Sequence, residues 1–199
     1  YIYAVPMEGD TQNALLRLKA HCETEGHPLV LSTVSEEELP DILALWPTAR
    51  VETIPEWADY LYLAEDIKEL AGKKYATQRN HISKFNRLYS DWQFTPITKD
   101  NLDAVKAFFD WFAEVNEKES DTYKEDERKA AEALAHFEEY GFLGGAVWAE
   151  DRIVAMALGE VQGDTLYVHI EKGDIRYHGA YQMIVREFAR YACTEGVQY

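Results

Sequence analysis

Apolar positions along this chain change period several times, and each change predicts an element. The opening run, Tyr1-Ile2-Tyr3-Ala4-Val5, has the aromatic and β-branched character of a strand. Ala14, Leu15, Leu18 and Cys22 then recur at helical spacing, and Gly26 is placed to end that helix. Residues 29–34 are a short apolar run that reads as a buried strand. Ser35 and Glu38 stand at capping-box spacing ahead of Leu39, Ile42, Leu43 and Trp46, with Pro40 near that helix's first turn. Further strands are expected at 51–54 and 60–63.

The centre of the chain is helical. Tyr75, Ile82, Phe85 and Tyr89 make one apolar stripe, which leaves Arg79, Asn80, Lys84 and Arg87 largely on other faces. A short strand is expected at 93–97. Asn101 then opens an amphipathic helix with Leu102, Val105, Phe108, Phe109, Phe112 and Val115 on its buried side. A second helix, 124–140, is acidic on its exposed face and ends at Gly141. Residues 143–149, 153–161 and 165–172 predict three strands joined by Glu150-Asp151 and Gly163-Asp164, both tight-turn dipeptides, and hence an antiparallel meander. Strict alternation in the third strand sets Leu166, Val168 and Ile170 on one face and Tyr167, His169 and Glu171 on the other. A polar turn leads into a helix at 180–195, with Ile184, Phe188, Tyr191 and Ala192 on its stripe, and a last strand begins at Val197. Because both terminal segments read as strands, the expectation is a piece of a longer fold at each end.

Composition narrows the function classes. The chain has 199 residues, 47% of them hydrophobic and 13% aromatic, which is ample for a packed core. No run approaches the ~20 apolar residues of a membrane span, and no signal peptide opens the chain. Cys22 and Cys193 lie far apart in helical patterns, so they read as small buried hydrophobes in a reducing, cytoplasmic setting. No His, Asp and Glu cluster has metal-ligand spacing, and no metal is expected. The net charge of −16 argues against non-specific nucleic-acid binding. Residues 68–87 run against that average: Lys68, Lys73, Lys74, Arg79, Lys84 and Arg87 face only Glu69, a segment of +5 within a remainder of −21. This stretch is a candidate for holding the phosphates of a tRNA or a cofactor, with Lys73, Lys74 and Arg79 as contacts. The alternative is a solvated helix paired with the chain's many carboxylates.

The order of strand, two helices, three-stranded meander, polar turn, helix and strand resembles the GNAT acyltransferase fold. In that fold the turn after the fourth strand follows (Gln/Arg)-x-x-Gly-x-(Gly/Ala); Arg176-Tyr177-His178-Gly179-Ala180-Tyr181 stands there, with Tyr181 in the place of a small residue. Amides at a helix N-terminus and its partial positive charge suit a pyrophosphate, which makes Arg176, His178, Gly179, Ala180 and Tyr181 the candidate cofactor-binding set. More specifically, Asp59-Tyr60-Leu61-Tyr62-Leu63, Gly72-Lys73-Lys74, Arg79-Asn80-His81-Ile82-Ser83-Lys84-Phe85 and Val168-His169-Ile170-Glu171-Lys172 resemble uncharacterised bacterial proteins related to the C-terminal domain of phosphatidylglycerol lysyltransferase. The resemblance implies an α/β fold of two GNAT-like units in tandem. Residues 1–70 would be the tail of the first, and 71–199 a second unit lacking its final strands. It also implies transfer of an acyl or aminoacyl group from acyl-CoA or aminoacyl-tRNA to an amine or hydroxyl, with no tightly bound cofactor. Asn80 and His81 enter the substrate-binding set through it.

Within that frame Glu171 is the candidate general base, with His169 as base or as orienter of Glu171 and Tyr167 as a substrate contact. The competing readings are a structural, ion-paired Glu171 and a satisfied, partly buried His169. A module that kept the fold and binds without catalysis is the alternative function. The pattern carries no signal for oligomeric state.

Overall fold

The computed structural model describes residues 1–6, 9–55, 58–116 and 120–199, apart from the side chains of 121 and 122. Its contacts divide the chain into two compact units, Tyr1–Ala58 and Asp59–Tyr199, upstream of the 70/71 boundary expected from the sequence.

In the first unit a short strand β1 (Tyr3–Ala4) pairs in parallel with β2 (Leu31–Ser32). Helix α1 (Thr11–Thr24) is capped by Asp10, whose carboxylate accepts from the Asn13 amide at 3.0 Å. Leu15 and Cys22 are its buried residues, and Gly26 follows it with φ +75°. The capping box is present ahead of α2 (Leu39–Leu45). Ser35 Oγ accepts from the Glu38 amide at 3.2 Å, and the Glu38 carboxylate accepts from the Ser35 amide at 3.0 Å. Val5, Leu15 and Ile42 form the buried centre of this unit. The strand expected at 51–54 does not form, and Val51 and Ile54 are exposed. β-propensity needs a ladder partner to become a strand, and among the described residues this segment has none.

The second unit is built on an antiparallel sheet of order β3-β4-β5-β6, comprising β3 (Gln93–Pro96), β4 (Leu143–Ala149), β5 (Arg152–Gln162) and β6 (Thr165–Gly173). The meander forms as its hydrophobic pattern indicates. Glu150 and Asp151 both take positive φ in the first turn and Gly163 in the second, the backbone that two-residue hairpin turns demand. Two layers of helix cover the sheet. On one face α4 (Ala76–Leu88) and α7 (Ala180–Ala192) bury Ile82, Phe85, Met183, Ile184 and Phe188 against Val147, Ala155 and Ala157. On the other, α5 (Leu102–Val115) and α6 (Asp121–Ala135) bury Val105, Phe108, Phe109 and Leu134 against Ala146, Met156 and Leu158. Along β5, Ala155 and Ala157 face the first core and Met156 and Leu158 the second, while the irregularity opposite Val147 and Trp148 puts Val154 in the same core as Ala155.

The strand expected at 60–63 is also absent. Tyr60, Leu61, Tyr62 and Leu63 are exposed coil leading into α3 (Ala64–Glu69). The Ala64 amide bonds the Gln198 carbonyl at 2.8 Å, so this segment is tied down at its end rather than along a ladder. No helix among the described residues is long and apolar enough to cross a membrane.

Candidate functional site

β6 is the edge of the sheet. Near its start, Tyr199 donates to the Asp164 carbonyl at 3.1 Å and accepts from the Leu166 amide at 2.7 Å. These two bonds flank Thr165 in the pattern of a parallel ladder. Beyond Leu166 the outer edge of β6 has no strand partner among the described residues.

A bulge re-aims this strand. Register passes from Leu158↔Ile170 to Gly159↔Val168, so His169 is an extra residue with no partner of its own. A Cβ on Gly159 would lie 2.2 Å from the Tyr167 carbonyl oxygen, which is why glycine stands there. The bulge overturns the expected alternation. Leu166 packs with the α4–α7 core and Ile170 with the α5–α6 core, despite their even spacing. Glu171 pairs with Ala157 and so faces α4 and α7, while Lys172 lies over the Phe112 ring of α5. His169 does not share a face with Glu171: its Nε2 is 2.9 Å from Glu160 Oε1 and its ring packs edge-on to Phe142. Glu160 is held below the usual carboxylate range by the Gln162 amide first and by His169 next.

A cavity of about 700 Å3 opens along this edge, walled by β6, α3, α4, α7 and the coil at 59–62. Glu171, His169, Tyr167 and Tyr181 border it, from among the residues expected to form a site. No hydrogen bond reaches the Glu171 carboxyl among the described residues. Burial alone pushes it up to about 7, where a carboxylate can take a proton at neutral pH.

The turn after β6 is built differently from its neighbour. Asp174 is 3% exposed, and it accepts from the Arg176 amide at 3.0 Å and from the Arg176 guanidinium at 2.6 to 3.1 Å. Burial pushes Asp174 up, but the Arg176 contacts and the charge of Arg152 outweigh it and hold the carboxyl low. Arg176 also stacks on Trp111, at 4.8 Å from the ring centre. Gly179, at φ +92°, is the residue before α7, and a Cβ there would lie 2.6 Å from the His81 carbonyl of α4. His178 Nε2 is 2.9 Å from His81 Nδ1; burial, then Lys84 and His81, keep His178 below the ordinary histidine value. Arg176, His178, Gly179 and Ala180 therefore lie outside the cavity wall, while Tyr181 and Gln182, in the first turn of α7, border it. Tyr181 fits in place of a small residue because its ring lies over Gly173, where an added Cβ would meet it at 3.0 Å.

The basic stretch is largely committed. Arg79 donates to the carbonyls of Leu70 and Gly72, closing the left-handed end of α3. Lys74 pairs with Asp66 at 2.7 Å and lies over the Tyr75 ring. Lys73 and Asn80 are exposed, and neither they nor Lys74, Arg79 and His81 line the cavity. Most of its wall lies outside the expected site residues, Tyr75 and Gln78 among them. Gln78 lies on the Tyr75–Ile82–Phe85 stripe, and a polar residue inside an apolar helical stripe was the available signal.

With this geometry in hand, comparison with known proteins places the chain. The family model of the phosphatidylglycerol lysyltransferase C-terminal domain matches residues 3–199. Among solved structures, a conserved protein of unknown function from Bacteroides thetaiotaomicron is 32% identical, with a TM-score of 0.83; the match covers 96% of this chain and 66% of that one. The C-terminal domain (DUF2156) of a lysylphosphatidylglycerol synthetase from Agrobacterium fabrum is 14% identical with a TM-score of 0.62, over 96% of this chain and 59% of that one, a likeness of fold alone. No curated protein matches. The chain belongs to the family of phosphatidylglycerol lysyltransferase C-terminal domains.

Proposed function

We propose that the chain is an acyl- or aminoacyl-transferase domain that uses the cavity along β6. The observation that carries this reading is Glu171, a half-buried carboxyl on the cavity wall that no hydrogen bond reaches among the described residues, with an affinity for protons near neutrality. Such a group can take a proton from an amine or hydroxyl as it attacks the donor's carbonyl carbon. The leaving oxygen or sulfur departs with the rest of the donor, and catalysis rests mainly on positioning. The donor is acyl-CoA or aminoacyl-tRNA, with its phosphates nearest the first turn of α7, where Tyr181 and Gln182 border the cavity. The element order β3, α5, α6, β4, β5, β6, α7 supports a GNAT-like second unit at 71–199, with 1–70 as the tail of another. Family membership supports aminoacyl transfer as the reaction class.

Calorimetry of the protein with acetyl-CoA and with aminoacyl-tRNA tests the donor. Failure of both to bind at high micromolar concentration removes it. A second reading, a ligand-binding module without catalysis, is favoured by Arg176, whose guanidinium is taken up by Asp174 and Trp111. Glu171→Gln separates the two readings. A transferase loses turnover, whereas a binding module has no turnover to lose and keeps its ligand.

A further inference from the structure

Away from Glu171 the cavity along β6 lengthens and its wall changes character. On α7 the residues Tyr181, Val185, Ala189 and Cys193 all line it. They stand four apart, so they form one row along the helix, about 18 Å long at ~1.5 Å per residue. The facing stretch of β6, from Glu171 back to Leu166, runs about 16 Å at ~3.3 Å per residue. The two walls share an order. Tyr181 lies over Gly173, next to the Glu171 end, whereas Leu166 packs with Ala64, Ala189 and Cys193 at the other. Those last residues are small or apolar and bring no charge, and burial pushes the Cys193 thiol up, which keeps it neutral. The one guanidinium on the wall, Arg186, is taken up by Glu187 at 2.7 Å. An apolar tail matches these surfaces; a charged one would lose its water against them.

We infer that the cavity is a slot for an unbranched apolar acyl chain, with the carbonyl at the Glu171 end and the tail between Leu166, Ala189 and Cys193. A zigzag of ~1.5 Å bonds advances about 1.3 Å per carbon, so the row accommodates about 12 to 14 carbons. The volume of about 700 Å3 is within the range of small-ligand sites. This deepens the transferase reading by narrowing the transferred group to a fatty-acyl class, and it rests on that reading only for which end receives the carbonyl.

The test is calorimetry on the full chain with N-acetylcysteamine thioesters, which carry an acyl chain without the phosphates of coenzyme A. Decanoyl is expected to bind at least about 100-fold tighter than acetyl, with hexanoyl between them, as burial of successive CH2 groups requires. A 6-aminohexanoyl thioester, with an ammonium at its tail, is expected to bind at least about tenfold more weakly than hexanoyl. Ala189→Leu fills the tail end and weakens decanoyl about tenfold while sparing hexanoyl. Val185→Asp, at a half-buried position midway along the row, removes most of the rise with chain length and leaves acetyl unchanged. It keeps the test decisive should Ala189→Leu, at a buried position, fold poorly. A flat series, binding of none of the probes, an aminohexanoyl probe as tight as hexanoyl, or a decanoyl preference that survives Val185→Asp overturns the inference. The two readings also fail separately. A flat series beside turnover that depends on Glu171 removes this inference alone, while a steep series without transfer removes the transferase and leaves an acyl-chain site.

Discussion

Glu171 and Asp174 stand three residues apart where β6 ends, and their surroundings push them in opposite directions. Asp174 has the Arg176 amide and guanidinium as partners and sits below its usual range; Glu171 has no hydrogen-bond partner among the described residues and rises to about 7. Burial acts on both. What separates them is whether a donor came with it, and that difference distinguishes a carboxylate that holds a turn together from one left ready to exchange a proton.

The largest effect that sharpens this contrast is on turnover. Glu171→Gln is expected to lower transfer about 10²- to 10⁴-fold in steady-state assays, without loss of thermal stability at neutral pH. A comparable loss from Asp174→Asn with its fold intact would erase the distinction. The pH dependence of stability comes next and has opposite signs for the two groups. Glu171 binds protons more tightly folded than unfolded. Its contribution is therefore complete below about 4.5 and lost as pH rises through about 7, a change of about 3 kcal/mol. Asp174 is the reverse: its contribution is present above 3.8 and lost as pH falls through its lower folded value. Urea melts of the wild type and Glu171→Gln should coincide near pH 4 and diverge near pH 8, with the glutamine form more stable at the higher pH.

Gly159→Ala addresses the bulge that sets Glu171 apart from His169. Its Cβ would meet backbone 2.2 Å away, so a loss of about 2 kcal/mol in thermal melts is expected, together with reduced turnover. The smallest effect is that of Asp174→Asn, about 1–2 kcal/mol from weaker bonds to Arg176. A neutral result in melts would show that the turn does not need its carboxylate.

The amino-acid pattern made the meander, the stripe of α4 and the Ser35–Glu38 capping box legible, because each depends on neighbours close in sequence. Edge structure was not legible. The segments at 51–54 and 60–63 have strand-forming residues but no ladder beside them among the described residues, and pairing is a property of distant residues. The face of Glu171 was misjudged for a similar reason, since the bulge at His169 is fixed by a glycine on the neighbouring strand. Arg79 read as a phosphate contact because its two carbonyl partners become visible only when α3 ends in a left-handed residue at Leu70. Gln78 was there to be found as the one amide on an apolar stripe.

Ionisation of Glu171 can be followed directly by the carboxyl carbon shift in a glutamate-labelled protein, assigned by its disappearance in Glu171→Gln. A titration midpoint of about 7 is predicted. A midpoint near the ordinary 4.5 would mean that water or a partner already serves this carboxyl, and the site as described here would not exist.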